Sequence, residues 1–274
     1  ALAVKKRKNL TYDNHEPLHC EDPNMIPDSD NHPILFEHIY LKETKENVSD
    51  NTDLENSVFE PDYTPYKGIH LIVLVHGFQG NSYDMKLIKN NLSMLHPEAL
   101  ILCSSANEEN TENDIGDMGL KLANEIQNFI TETCPSSFIG RLSFIGYSLG
   151  GLIIRAALPH LEEYADKMHT FFTLSSPHLG YMYNSNKIIE AGMWFLKKWR
   201  NSQSLGQLTA ADNKNAEESF IYKLSTSQGL NWFKHVAFTS SWQDQYAPFE
   251  SARVEVCQEA LSDTSKGNFY RKMA

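Results

Sequence analysis

Apolar runs of strand length alternate with longer amphipathic stretches between residues 68 and 261. The run IHLIVLVHG at 69–77 is apolar almost throughout and ends in glycine, which is typical of a strand buried on both faces. Comparable runs follow in the segments EALILCSSA, RLSFIGY, MHTFFTLSSPHLG and FKHVAFTSSW. Strands that alternate with helices form β-α-β units, so the pattern predicts a mostly parallel sheet with helices on both faces.

Helical patterns fill the intervals between these runs. The segment 114–134 places its apolar side chains on one stripe at helical spacing. Shorter helical patterns cover 84–95, 151–161 and 249–261. We therefore predict one α/β domain over residues 67–274.

The alternation breaks once, between residues 181 and 230. This insertion contains the segment KIIEAGMWFLKKWR at 187–200, which is apolar nearly all round and ends in basic residues. One interpretation is a helix packed on the domain. The other is a lid-like element that covers an apolar substrate pocket or touches lipid.

The first 66 residues differ in character from the rest of the chain. They are rich in Asn, Asp, Glu and Pro, and they predict a polar arm or linker with one strand at 32–43. The chain starts ALAVKKRKNL, without an initiator methionine or the pattern of a signal peptide. We expect it to be cut from a longer chain, and the lack of targeting signals favours a cytoplasmic location.

Charge and composition exclude several classes of protein. The formal net charge is −11, from 24 basic and 35 acidic residues, which argues against nucleic acid as a partner. No apolar run reaches the roughly 18 residues of a membrane-spanning helix. The four cysteines form no CxxC pair, so we predict no zinc site, and no other metal or cofactor is indicated. The oligomeric state is not encoded in any recognisable pattern.

The pentapeptide Gly146-Tyr147-Ser148-Leu149-Gly150 lies between a predicted strand and a predicted helix. A nucleophile elbow requires this context, because the serine must sit on a sharp, strained turn with its hydroxyl exposed. Glycines on both sides allow the strand and helix to approach closely. A plain glycine-rich turn is the competing interpretation, and the flanking pattern favours the elbow with Ser148 as the nucleophile.

A second motif, LVHGFQGN at 74–81, closes the first strong strand. In α/β-hydrolases the loop after this strand lends a backbone N–H to the oxyanion hole. We assign that donor to Phe78, and the second donor to the N–H of Leu149, which lies at a helix N-terminus. Within this motif we expect His76 and Gly77 to support the loop, and we do not expect His76 to be the general base.

The predicted acid is Asp244, in the segment SSWQDQYAPFESA after the fifth strand. Ligand-facing residues of a parallel sheet gather at the carboxyl ends of its strands. In this fold the chain order of the catalytic groups is Ser, then Asp or Glu, then His. A polar residue in an exposed loop is the competing interpretation.

These motifs together resemble the putative serine esterase family of α/β-hydrolases over about residues 68–262. The matching segments are LVHGFQGNSYDM, LSFIGYSLGGLIIRAAL, TLSSPHLGYMY and SSWQDQYAPFESARVE. Within the family they are most similar to the C-terminal hydrolase domain of the animal proteins called "family with sequence similarity one hundred thirty-five". The resemblance implies an α/β-hydrolase fold, an acyl ester or lipid substrate, and Ser148 and Asp244 as members of a catalytic triad.

A catalytic histidine is missing from the expected place. None of the 11 histidines follows Asp244 in the sequence. The family pattern has a further strand and a histidine-bearing loop there, so we expect a truncated domain that lacks its last strand and helix. His178 and His235 are the available substitutes. The resemblance implies that His178 shapes the site, and His235 lies within a strand that precedes the acid.

Three functional hypotheses remain from the sequence. The first is a serine esterase whose chain as given is inactive for lack of its histidine. The second is a hydrolase fold kept as a non-catalytic module that binds lipid or protein. The third is a thioesterase or peptidase that shares Ser148 and differs in its pocket.

Overall fold

The computed structural model describes residues 67–134, 139–183, 202–264 and 266–274. Within these ranges five strands form one sheet, and all neighbouring strands are parallel in the order β2-β1-β3-β4-β5. The strands are β1 (Ile69–Val75), β2 (Leu100–Cys103), β3 (Ile139–Tyr147), β4 (Met168–Leu174) and β5 (His235–Thr239). The parallel sheet predicted from the alternating pattern is confirmed.

Helices cover both faces of this sheet. In the described part of the chain they are α1 (Lys86–Leu95), α2 (Ile115–Thr133), α3 (Leu149–Ala157), α4 (Gln203–Leu208), α5 (Phe220–Ser225), α6 (Phe249–Arg253), α7 (Gln258–Ser262) and α8 (Gly267–Met273). Short 3-10 turns occur at Ser82–Met85, Leu158–His160, Glu162–Lys167, Ala216–Glu218 and Leu230–Trp232.

One predicted helix divides into two. The prediction of a continuous helix over 249–261 is wrong, because Val254 adopts the left-handed conformation with φ 60° and ψ 47°. Its N–H donates to Ser251 O, and the Glu255 N–H donates to Glu250 O, so the last carbonyls of α6 are satisfied at a C-cap. Positive φ is rare for a β-branched residue. Packing of Val254 against the main core accompanies it.

Side chains that alternate along β1 divide the interior into two clusters. Leu71, Val73 and Val75 point into the main cluster, which α2 and α3 cover, whereas Ile72 and Leu74 point into a smaller cluster under α1. This is the period-2 alternation expected of a strand buried on both faces.

Helices α2 and α3 pack in close contact through small residues. A Cβ atom placed on Gly119 would lie 2.6 Å from the Cβ of Ala156. The glycine therefore allows the long helix α2 to lie directly on α3, the helix that follows the Gly-Tyr-Ser-Leu-Gly turn.

The described part of the 181–230 insertion belongs to the core. Leu205, Leu208, Ile221 and Leu224 are buried in the main cluster. Its middle, which includes the apolar segment 187–200, lies outside the described residues, as do the arm and the predicted strand at 32–43. The lid-like role of the insertion and the boundaries of the domain stay predictions. Of the helices described, none is both long and apolar enough to cross a bilayer.

Three histidines meet at the N-terminal edge of the sheet. The ring centroids of His70 and His169 are 5.7 Å apart, and those of His169 and His235 are 5.1 Å apart. Burial first, and then the charge of Arg141, lower the pKa of both His70 and His169 to about 4. His96 also lowers the pKa of His70 while Glu98 raises it, and the other two histidines and Lys234 lower that of His169.

We expect this cluster to make the fold sensitive to mild acid. Between pH 6.5 and about 4 the unfolded chain binds more protons than the folded chain at these two positions, so the free energy of unfolding falls as pH falls through that window. Urea midpoints measured from pH 7.5 to pH 5 should show this loss. His169→Asn should reduce the slope of stability against pH, and His160→Asn, at an exposed site, should leave it unchanged. Equal slopes in all three proteins would contradict the prediction.

Candidate active site

Ser148 lies at the sharp turn between β3 and α3. Its backbone has φ 52° and ψ −123°, a combination that costs a non-glycine residue about 1–3 kcal/mol and is typical of functional sites. The Ser148 N–H donates to Leu174 O at 2.9 Å, and the Gly151 N–H donates to Ser148 O at 3.2 Å. The side chain is half-buried and makes no capping hydrogen bond to the helix.

Glycines let α3 start directly against two strands. A Cβ atom on Gly146 would lie 2.6 Å from the Cα of Gly151. A Cβ atom on Gly150 would overlap Val75 O and lie 2.6 Å from His76 O. Neither Gly146 nor Gly150 has space for a side chain. Glycine at these positions therefore allows the turn to lie close to the end of β1.

The loop after β1 touches the Ser148 turn. A Cβ atom on Gly77 would lie 2.9 Å from the Cβ of Ser148. Phe78 follows directly and packs against the main core. The N–H of Leu149 is the first of α3, where N–H groups have no partner inside the helix. The two segments that carry the predicted oxyanion donors, Phe78 and Leu149, are thus adjacent to Ser148.

A neighbouring acidic loop holds this segment in place. Gln79 has a positive φ of 54°. Its N–H donates to Thr111 Oγ1 at 2.8 Å, and its Nε2 donates to Glu112 Oε1 at 2.7 Å. The Ser82 N–H donates to Glu108 Oε1 at 2.8 Å. These hydrogen bonds support a backbone conformation that the sequence of the loop alone does not favour.

His76 is buried beneath the same loop. Its Nδ1–H donates to Gly77 O at 3.0 Å, and its Nε2 has no hydrogen-bond partner among the described residues. Among the described residues, the His76 imidazole makes no hydrogen bond to Ser148. Its hydrogen bond is to the backbone of the loop.

Asp244 follows β5 at the same edge of the sheet. Its Oδ1 accepts from the N–H groups of Tyr246 at 2.8 Å and Ala247 at 3.0 Å, so the carboxylate is anchored in a turn. Burial, and then the charge of Asp244, raise the pKa of Tyr181, which places that carboxylate near the loop after β4. Oδ2 has no hydrogen-bond partner among the described residues.

His178 is fully buried in the loop after β4. Its Nε2 lies 3.0 Å from Thr173 Oγ1, and its Nδ1 lies 3.4 Å from an Arg155 Nη1. Burial, and then the positive charge of Arg155, lower the pKa of His178 well below its usual range. Both ring nitrogens are therefore engaged away from Ser148.

The remaining described histidines are distant from the turn. His70, His169 and His235 belong to the opposite edge of the sheet, about 15–20 Å away by strand length. His96 is exposed, with its Nδ1 3.7 Å from Glu98 Oε1, and His160 is exposed. No group of three or more His, Cys, Asp or Glu side chains in the described ranges could hold a metal ion.

The family described as "Putative serine esterase (DUF676)" matches residues 65–259, more than two thirds of the chain. The chain belongs to this family. The parallel sheet, the strained serine turn and the family membership together assign the α/β-hydrolase fold. The narrower resemblance to one group of animal proteins stays a prediction.

Two yeast relatives of this esterase-family chain come from Saccharomyces cerevisiae. "Putative lipase ROG1" is 30% identical over 155 residues, which is 52% of this chain and 22% of the relative. "Putative lipase YDL109C" is 28% identical over 169 residues, 57% of this chain and 25% of the relative. The chain thus spans about a quarter of the length of the curated relatives it matches.

Solved structures of low identity share part of the architecture. Aspergillus fumigatus lipase B has a TM-score of 0.43 at 14% identity, over 66% of this chain and 42% of the lipase. An extracellular α/β-hydrolase from a Paenibacillus species has a TM-score of 0.40 at 11% identity, over 74% of this chain and 96% of the other. Their TM-scores lie below 0.5, so the fold assignment rests on the topology and the family.

Three residues near the site escaped the sequence analysis. Thr111 and Glu112 hold the loop after β1, and nothing in the polar segment that contains them singles them out. Arg155 is the single charge in the apolar helical run GLIIRAAL. A lone charge in an apolar helical run could have indicated Arg155, because a buried charge needs a specific partner.

We expect Gly150→Ala to disrupt the contact between α3 and β1. The added Cβ would overlap Val75 O and crowd His76 O, so the variant should lose about 1–3 kcal/mol of unfolding free energy, measured in urea. Gly206→Ala is the matched control, since no atom lies within 4 Å of its added Cβ and alanine favours the helix by up to about 1 kcal/mol. A Gly150→Ala protein as stable as the control would contradict the close packing of the turn.

Proposed function

We propose that this chain carries a serine hydrolase site that cleaves carboxylic esters, with lipid esters as its substrate class. The observation that carries the proposal is the strained backbone of Ser148, held against Gly77 at the C-terminal edge of a parallel sheet. Membership of a serine esterase family and two relatives named lipases support it. No metal or organic cofactor enters the proposal.

In the proposed reaction, the Ser148 hydroxyl attacks the acyl carbon and gives its proton to a base. The N–H groups of Phe78 and Leu149 are proposed to bind the oxyanion that forms. Collapse of this intermediate breaks the ester bond, and the base returns the proton to the departing alcohol. Water then hydrolyses the acyl-enzyme by the same steps.

Asp244 is proposed to orient the base. Its Oδ1 is held by two backbone N–H groups, whereas Oδ2 is left for an imidazole N–H. A carboxylate in this role keeps the correct histidine tautomer and stabilises the imidazolium.

The base is proposed to be a histidine outside the described residues. His76 and His178, which lie after β1 and β4, make their hydrogen bonds to groups other than Ser148. The chain order of the fold places the histidine after the acid, and none of the 11 histidines of this sequence follows Asp244. On this proposal the chain by itself has little or no turnover.

A second candidate is a non-catalytic module that binds lipid or protein through the same fold. The observation that favours it is that no histidine among the described residues makes a hydrogen bond to Ser148. The two candidates differ in whether Ser148 becomes nucleophilic in any form of the protein.

A fluorophosphonate probe tests the esterase proposal. A protein extended past residue 274 to include a further histidine should be labelled at Ser148, because the base then activates the hydroxyl. The 274-residue chain should react at least about 10³-fold more slowly. Mass spectrometry of the labelled peptide gives the site, and Ser148→Ala is the control. A folded extended protein without label would favour the binding module.

Asp244→Asn should lower kcat of the extended protein by about 10⁴-fold, with a much smaller effect on KM. The amide keeps the shape of the side chain but cannot stabilise the imidazolium. Hydrolysis of a short-chain ester is the measurement. Asp166→Asn, which removes an exposed carboxylate paired with Lys167, is the control and should leave kcat unchanged. Equal activity of both variants would remove Asp244 from the mechanism.

A further inference from the structure

Arg155 is a buried cation without a carboxylate partner among the residues that the structure describes. It lies in the last turn of α3, seven residues after Ser148, and is only 6% exposed. No ion pair in the described part of the chain involves it. Burial lowers the pKa of its guanidinium to about 10, so the group is still charged at neutral pH. A buried charge of this kind is costly unless hydrogen bonds compensate it.

Its compensation comes from three acceptors on two other segments. The Arg155 Nη2 donates to Leu224 O at 2.7 Å, at the C-terminal end of α5. Nη1 lies 3.4 Å from both the carbonyl oxygen and Nδ1 of His178. The carbonyl end of a helix favours a positive charge, so Leu224 is a suitable partner. The guanidinium thereby joins α3, the loop after β4 and the described part of the insertion.

The guanidinium determines which nitrogen of His178 carries the proton. Arginine can only donate, so His178 Nδ1 must accept and Nε2 must carry the hydrogen. Nε2–H then donates to Thr173 Oγ1 at 3.0 Å. The ring also packs edge-on against Phe238, with centroids 4.7 Å apart. The imidazole thus has a polar neighbour at each ring nitrogen and an aromatic ring beside it.

Thr173 connects His178 to the Ser148 turn. A Cβ atom on Gly151 would lie 2.9 Å from Thr173 Cγ2 and 2.7 Å from Ser176 Cβ, so the backbone of Gly151 rests on these two side chains. The Gly151 N–H donates to Ser148 O. The contacts therefore run from Arg155 through His178 and Thr173 to the backbone beside the proposed nucleophile.

We propose that Arg155 is a positioning residue, which fixes the Nε2–H tautomer of His178 and thereby holds the Ser148 turn against the C-terminal end of β4. The value of this arrangement for catalysis rests on the proposed function of Ser148. The arrangement itself does not, because it consists of hydrogen bonds in the folded chain.

The test uses NMR on the 274-residue chain with ¹⁵N-labelled histidine. In the unaltered protein His178 Nδ1 should be unprotonated and Nε2 protonated from pH 5 to pH 8. Arg155→Met should release this constraint, so that the second tautomer or a protonated form becomes populated. Arg155→Lys, which keeps a cationic donor, should restore the original tautomer at least in part. Lys223→Met, which removes an exposed cation beside Leu224, is the control and should change nothing.

Amide hydrogen exchange reports the effect on the turn. The Ser148 and Gly151 amides should exchange about tenfold faster in Arg155→Met and in Thr173→Val, relative to the Ser104 amide, which donates to Leu74 O on the other side of β1. Thr173→Val should leave the His178 tautomer unchanged, since Arg155 still donates to Nδ1. If Arg155→Met fails to fold, the exchange of the Ser148 and Gly151 amides in Thr173→Val still tests the proposal.

Two results would overturn the proposal: a proton on His178 Nδ1 in the unaltered protein, or unchanged exchange at Ser148 and Gly151 in the folded variants. Failure of the fluorophosphonate probe with the NMR results intact would instead refute the esterase function and leave the positioning role of Arg155 in place. The two proposals can therefore fail separately.

Discussion

The close approach of α3 to the end of β1 is the contact on which the rest of the site depends. Gly150 lies against the carbonyls of Val75 and His76, where any side chain would overlap them. This contact brings the strained Ser148 turn beside Gly77. The unfavourable backbone angles of Ser148 persist because the sheet and helix on either side determine the course of the chain.

Polar contacts from outside the motif complete the site. Thr111 and Glu112 hold the loop after β1 through their side chains, and their carbonyls accept from Ser204 Oγ and the Gln203 N–H at the start of α4. Arg155 holds α5 through Leu224 O. The described part of the insertion is thus attached to both sides of the Ser148 turn by buried or half-buried hydrogen bonds. Several residues of the insertion are also buried in the main cluster. Networks of buried hydrogen bonds favour one defined arrangement of the chain.

Asp244, after β5, and His178, after β4, differ in what they can still bind. Asp244 is half-exposed, and one of its oxygens lacks a partner among the described residues. His178 is fully buried, and both of its nitrogens are engaged. Burial and a neighbouring cation keep this imidazole neutral. The environment, and not the residue type, therefore decides which of the two groups can still accept a hydrogen bond.

The sequence by itself determined the parallel sheet, the place of Ser148 between strand and helix, and the loop that follows β1. These features depend on local periodicity and on glycines at close contacts, which a linear pattern records. Only the tertiary structure decided the break at Val254, the anchoring of Gln79 by Thr111 and Glu112, and the pairing of Arg155 with His178. Those contacts join residues far apart in the chain, and their energy comes from burial and from hydrogen-bond partners that only folding brings together.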